Sequence, residues 1–385
     1  MPTVVVAGAV ANKQLNGGET WIFLSWLQGL ARLGCRVYFV EQIEPAACVD
    51  EHDQPAPFEQ SVNRAYFDHV MRQFGFADSA SLVLGGGEAT SGLSFPEVLE
   101  VAEAADLLVN HGGHLQAPEL VRRFRCKAYV DQDPGFTQFW HAEGNLGARL
   151  DGHDTYFTVG ENIGRPECSV PTVGIDWHPL PQPIVLDEWP ASPSTSDRFT
   201  TVGAWRGAFG PVVHEGRTYG LKVHEFRKVI ELPRRVPEAQ FEIALEIHPG
   251  DSKDRDALVA NGWHLTDPRQ EVPGPLEFRR YVQRSGAEFS VAQGVYVDTR
   301  SGWFSDRTAR YLASGRPALV QETGFSRNYP AGEGLVPFRM LDEAIGGARR
   351  IREEYEAHCA AARALAEDRF DSDKVLGRFL EEALA

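Results

Sequence analysis

The sequence lacks any paired-cysteine motif. Its five cysteines, at positions 35, 48, 126, 168 and 359, are odd in number and widely scattered. That argues against the disulfide framework of a small secreted domain and against a cysteine zinc site, and the thiols read as the reduced ones of a cytoplasmic protein. There is no HExxH or HxxxH pair, and His248 and His264 stand far apart, so no metal site is expected. No apolar run approaches the roughly 20 residues needed to cross a bilayer. The opening Met1-Pro2-Thr3-Val4-Val5-Val6 has neither the basic region nor the cleavable apolar stretch of a secretory signal. Excess positive charge is missing too: the net charge is −16, which repels nucleic acid and anionic membranes at long range. The expected setting is cytoplasmic, with no nucleic-acid partner and no membrane span.

What is present is the composition of a folded chain. Hydrophobic residues make up 43% and charged residues 24% of 385 residues, enough apolar surface for more than one core, and the length suits two domains. Arg-, Ala- and Gly-rich usage fits a high-GC bacterial source.

Apolar spacing predicts alternating strands and helices. A β-branched run at 3–8 leads through a loop to helical spacing at 20–33, stopped by Gly34, and then to a strand at 36–40. Helices follow at 61–74, 96–105 and 118–124, with strands at 107–110, 127–130 and 155–159. A stretch rich in proline and serine, near 180–197, reads as a connection between halves. Beyond it the alternation resumes: strands at 199–202, 241–247, 287–291 and 317–320, and helices at 221–232, 255–261, 275–284, 305–314 and 341–358. The expected class is α/β, two doubly wound domains facing each other across a cleft. The boundaries are 1–185, 198–370, and a terminal helix within 371–385 that packs back on the first half.

Residues at the C-terminal ends of such strands face the ligand crevice, so polar groups there stand out. Asn110-His111-Gly112-Gly113-His114 and Asp131-Gln132-Asp133 are two such clusters. His111, His114, Asp131 and Asp133 are therefore candidates for the base that takes a proton from a hydroxyl. Asp131-Gln132-Asp133 is formally a DxD pattern, but its place before Pro134 in the first half argues against a metal site. Thr158 to Asn162 is a third strand-end cluster. The loop 12–19 carries Gly17 and Gly18, which permit close backbone approach, although it is not a GxGxxG fingerprint. In the second half a small-residue loop at 301–304 enters a helix at Ser305, Asp306 and Arg307. Free N–H groups, the helix dipole and the arginine there make an anion site. Trp205 and Arg206, after the strand at 199–202, offer an aromatic face and a cation, and Lys222 is a second cation at the next helix start.

The stretch from Ser301 through Ala313-Ser314-Gly315-Arg316-Pro317 and the strand 318–321 to Glu322-Thr323-Gly324-Phe325 resembles the C-terminal signature of GT-B glycosyltransferases. The resemblance continues through Gly332 to Phe338, similar to that family's turn before a final helix beginning Leu341-Asp342-Glu343-Ala344. It implies two Rossmann-like domains, the first for a small-molecule or carbohydrate acceptor and the second for a nucleotide diphosphate sugar, UDP- or dTDP-linked. It places Gly17, Gly18, Trp205, Arg206, Ser301, Gly302, Ser305, Asp306, Arg307, Glu322, Thr323 and Gly324 at the donor. It implies no cofactor besides that co-substrate and no metal. The two glutamates that many retaining members carry are replaced by Gly302 and Arg310, so the donor ribose needs another carboxylate, Asp306 or Glu322. Transfer of a hexose, conceivably to a bacterial secondary metabolite in natural product biosynthesis, is the implied reaction. A nucleotide-sugar 2-epimerase of the same fold, or an inactive nucleotide-sugar-binding accessory protein, are the alternatives.

Overall fold

A computed structural model describes residues 1–193, 196–207 and 209–385. The first sheet takes β1 (Thr3–Ala7), β2 (Arg36–Ile43), β3 (Ala80–Leu84), β4 (Ala89–Gly92), β5 (Leu107–His111), β6 (Lys127–Asp131), β7 (Thr155–Thr158) and β8 (Trp177–Pro179). Their spatial order is β4-β3-β2-β1-β5-β6-β7-β8. All neighbours are parallel except the β3–β4 edge pair. The second half holds β9 (Arg198–Ala204), a hairpin of β10 (Val212–His214) and β11 (Arg217–Tyr219), then β12 (Gln240–Glu246), β13 (His264–Thr266), β14 (Ala287–Ser290), β15 (Ala318–Gln321) and β16 (Leu335–Phe338). Its parallel sheet has the order β13-β12-β9-β14-β15-β16.

Strands buried on both faces read as continuous apolar runs, which is why β1, β2 and β5 were legible. The strand β4, Ala-Thr-Ser-Gly, escaped the pattern because it carries little apolar signal, and β3 went unread despite its apolar Leu82-Val83-Leu84. Several helices differ from expectation: the one foreseen at 118–124 is only Pro118–Val121, and Pro268–Glu271 and Gly294–Thr299 were not foreseen. The one foreseen at 221–232 breaks into Lys222–Arg227 and Leu232–Arg235, the second opening on Pro233. The one foreseen at 341–358 ends at Glu353, and a new helix, Tyr355–Arg369, starts after Glu354 leaves helical geometry at φ −118°. Phe136–Ala142 is a helix that apolar spacing did not disclose. The segment 332–338, compared above with a turn, contains β16.

The two halves are joined by more than the chain. Ser194 and Thr195 of the connection lie outside the described residues. The rest of it is pinned: Trp189 is fully buried, its ring 5.0 Å from Trp21 and 6.3 Å from Phe278. Ile184 N–H donates to the Phe370 carbonyl at 2.7 Å, and Ser372 N–H donates back to Ile184 at 2.9 Å, so the outgoing and returning chains run side by side. The terminal helix, Ser372–Ala383, packs on Gly17–Arg32, with Phe379 4.8 Å from Trp26 and 4.6 Å from Phe157. Gly29 makes this possible, since a Cβ there would press on Leu376 at 2.6 Å. One apolar cluster continues through Val4, Trp21 and Trp26 into Phe278, Tyr311 and Phe370. No helix among the described residues is long and apolar enough to cross a membrane.

Candidate active site

The C-terminal ends of both sheets meet along one seam. Ligand crevices of open parallel sheets lie at such ends, where strand order reverses. Here the reversals fall between β1 and β5 and between β9 and β14. A cleft of about 440 Å³ opens at this place. One wall is the loop after β1, from Asn12 to Glu19. The other is Gly203 and Ala204 after β9, Glu246 after β12, the segment around Pro268 to Val272, and Asp306 and Arg307.

The first wall is shaped by a carboxylate from within the chain. Glu41, on β2 and fully buried, accepts from the N–H groups of Val10, Ala11 and Asn12 at 2.8, 2.8 and 2.7 Å, and from Asn12 Nδ2 at 2.8 Å. Successive N–H groups at the end of a first strand form a nest suited to an anion. Glu41 fills that nest, so the donors are spent on fixing the loop. Asn16 then caps the helix Gly17–Arg32, its side chain accepting from Glu19 N at 3.1 Å. Gly17 N donates to Val272 O at 3.3 Å, and Trp21 Nε1 to Pro275 O at 2.8 Å, tying this helix to the other half. A Cβ on Gly17 would collide with the Gly274 carbonyl, and one on Gly18 would meet the Phe278 ring at 2.9 Å. Both glycines therefore serve the close approach of the halves. Gly18 also lines the cleft, whereas Gly17 is buried behind it.

On the second wall Ser305 is the cap of the helix Asp306–Ala313, accepting from Arg307 N at 3.2 Å. Arg307 is stapled to the sheet: it donates to Glu288 Oε1 at 2.7 Å, to the Val202 carbonyl at 2.7 Å and to Ser290 Oγ at 2.6 Å. Its charge is a fixed feature of the wall. Lys222, behind Gly203 in a small pocket that adjoins the cleft without lining it, is the freer cation. Its ammonium lies 3.4 Å from where a Cβ on Gly203 would stand, with no hydrogen bond or ion pair among the described residues. Burial, reinforced by the charge of Arg307, holds its pKa down to about 8. Asp306 pairs with Arg310, which is buried against the Trp189 ring at 5.8 Å. The residue at the second glutamate position thus neutralises a carboxylate instead of supplying one.

Two carboxyls titrating near neutrality lie within each other's field. Burial pushes Glu19 up to about 7, with Asp306 and Asp133 adding to the effect and Lys13 and Arg310 opposing it. Burial and the charge of Asp131 push Asp133 up to about 6, against the Tyr296 hydroxyl that donates to it at 3.2 Å and against Lys13. Such tuning is what proton transfer at neutral pH requires.

The other base candidates fare differently. Asp131 is fully buried, and it accepts from Thr137 Oγ1 at 2.7 Å, Gln138 Nε2 at 2.8 Å, Thr158 Oγ1 at 2.8 Å and Asp133 N at 3.1 Å. With its lone pairs taken, it holds the β6–β7 strand ends together. His111 is buried edge-on to Phe23 and Trp26 at 5.4 and 4.8 Å, and burial lowers its pKa to about 3. It is a neutral core histidine. His114 is half-buried, and burial with the charges of Arg149 and Lys13 lowers it to about 4.

The remaining residues expected at the donor are dispersed. Trp205 is buried beside Phe226 at 5.3 Å and donates to Asp254 at 2.9 Å, while Arg206 turns outward to Asp251 at 2.8 Å. Neither lines the cleft, although Trp205 shares the small adjoining pocket with Lys222. Ser301, Gly302 and Thr323 are buried in the seam: Gly302 N donates to Thr323 O at 2.9 Å and Asn162 N to Ser301 O at 3.0 Å. Gly302, at φ +77°, has no room for a Cβ beside Asn162. Glu322 and Gly324 line a second cleft farther along the seam. Sequence reasoning missed Glu19, Lys13 and Glu41. Gly-Gly-Glu at a helix start was a usable signal for the first. Nothing local betrays Glu41, whose partners are about 30 residues away. Among the described residues no group of three His, Cys, Asp or Glu side chains is arranged to hold a metal ion.

No protein-family model and no curated protein matches the sequence. Solved structures do match its fold. HepE from Anabaena, in complex with UDP and glucose, is similar with a TM-score of 0.61 at 11% identity, over 99% of both chains. An α-glucosyltransferase in complex with UDP and a 13-mer DNA is similar with a TM-score of 0.61 at 11% identity, over 100% of both. AviGT4, a glycosyltransferase involved in avilamycin A biosynthesis, gives 0.54 at 12% identity, over 100% of this chain and 97% of its own. The architecture is the GT-B fold.

Proposed function

We propose that this GT-B chain is a glycosyltransferase that moves a sugar from a nucleotide diphosphate sugar, UDP- or dTDP-linked, to a hydroxyl-bearing acceptor. The observation that carries the reading is the unpaired Lys222 ammonium beside Gly203 and Arg307, in a small pocket of the second half that shares Val202, Gly203, Ala204 and Arg307 with the cleft built from both halves. A diphosphate there meets a fixed guanidinium, a free ammonium and the start of a helix, and gains stabilisation as its charge grows on leaving. The nucleoside end fits toward Pro268, Arg269 and Val272, with Asp306 as the carboxylate nearest a ribose. The sugar end then points toward Glu19 and Asp133. In its ionised form Asp133 accepts the proton of the acceptor hydroxyl as the new glycosidic bond forms and the bond to the diphosphate breaks. The seam of direct contacts between halves excludes water, the competing acceptor.

Support from relatives is consistent with this, since HepE and the α-glucosyltransferase were solved with UDP. The test is a thermal-shift panel of UDP, dTDP, GDP and ADP. UDP or dTDP raises the melting temperature by several degrees, as expected when a ligand at about 100 times its Kd adds about 2.7 kcal/mol. No shift with any of the four contradicts the donor site.

A further inference from the structure

Beyond the seam lies the second cleft, of about 540 Å³, with Asn162, Glu167, Arg300, Glu322, Arg327 and Arg339 among its lining residues. It gathers the ends of β7, β15 and β16 and the helix Gly294–Thr299 that follows β14. Its charges do not cancel. Arg327 pairs with Glu167, and Arg339 lies 3.7 Å from Glu322. Glu322 is further occupied by its own loop, accepting from Gly324 N at 2.6 Å and from the Ser326 hydroxyl. Arg300 is left over: exposed, with no ion pair or hydrogen bond to its guanidinium among the described residues. Three guanidinium groups against two carboxylates leave a positive cleft on a protein whose net charge is −16.

The backbone at Arg300 sharpens the point. It caps its helix in the left-handed region, φ 52° and ψ 43°, where glycine is the favoured residue and a side chain costs stability. What the backbone does there needs no side chain: the Arg300 carbonyl accepts from Asn162 Nδ2 at 3.1 Å. A left-handed residue at a cleft, whose guanidinium holds no ion pair or hydrogen bond among the described residues, leaves a charge free to meet a ligand.

We infer that the second cleft binds an anionic group of the acceptor, a carboxylate or a phosphate, through Arg300 with Arg339 and Arg327 flanking it. Arginine's planar fork suits both groups. The assignment to the acceptor rests on the glycosyl-transfer reading; the anion site itself does not.

The experiment titrates the full chain with citrate and with inorganic phosphate by calorimetry, comparing wild type, Arg300→Gly and Lys222→Met, and titrates UDP in parallel. Arg300→Gly weakens binding of the preferred probe about tenfold or more, keeps UDP affinity, and melts no lower than wild type because glycine relieves the left-handed backbone. Lys222→Met keeps that probe's affinity. Citrate tighter than phosphate marks a carboxylate, and the reverse a phosphate. Equal binding of both probes by Arg300→Gly and wild type overturns the site, as does no binding of either probe by wild type. Wild type that binds a probe but no nucleotide overturns the transfer reading, and with it the acceptor assignment alone.

Discussion

Replacing Asp133 by Asn lowers kcat for sugar transfer about 10²- to 10⁴-fold and leaves nucleotide affinity unchanged, with transfer followed as release of the nucleoside diphosphate from the donor that the thermal-shift panel selects. The substitution keeps the side chain's size and its contact with Tyr296 and removes only the capacity to take a proton. The wild-type pH profile carries the same signature. A base works ionised, and the pKa of Asp133 is raised from 3.8 to about 6. Activity therefore reaches its plateau only a unit or more above pH 6, is about half of it near pH 6, and falls as pH drops further, well before an ordinary carboxylate would protonate. In Asp133→Asn the acid limb assigned to this group disappears from the residual activity. Near-wild-type turnover by the variant would remove Asp133 from the reaction.

Glu41→Gln destabilises the protein by about 3 kcal/mol, because one acceptor oxygen becomes an NH₂ facing donors and buried N–H groups lose their partner. That corresponds to a fall in melting temperature of roughly 6–10 °C for a half of this size. Glu41 gathers three consecutive N–H groups of the loop that forms one wall of the first cleft. The variant therefore also loosens that wall, and hydrogen exchange at Val10 to Asn12 speeds up. A melting temperature equal to wild type would mean that the nest does not depend on the carboxylate.

Local sequence disclosed what depends on local pattern. The apolar runs of β1, β2, β5 and β12 and the helices 62–73 and 275–284 emerged because burial on one face or two leaves a period in the sequence. The helix start at Ser305 emerged from its capping chemistry, and the structure shows Ser305 in that role. What stayed hidden was set by distant partners. His111 and Asp133 both stand at or just beyond strand ends, yet the first turns into an aromatic cage built by Phe23 and Trp26 and the second accepts a hydrogen bond from Tyr296 of the other half. Ser301, Gly302 and Thr323 looked like donor ligands from the order of motifs. Asn162, well over 100 residues away in the other half, is what draws that loop into the seam. Gly17 shows the same limit: the freedom read there as room for a phosphate is used for contact with the Gly274 carbonyl.

A nucleoside diphosphate at the first cleft is expected to be held by Lys222, whose small pocket adjoins that cleft at Gly203 and Arg307. Calorimetric titration of UDP into wild type and Lys222→Met tests it most directly. Wild type binds UDP, and Lys222→Met binds it about 10- to 100-fold more weakly with an unchanged melting temperature in the absence of nucleotide, the loss expected for one charged hydrogen bond to phosphate. Equal affinity of the two proteins for UDP would contradict the account.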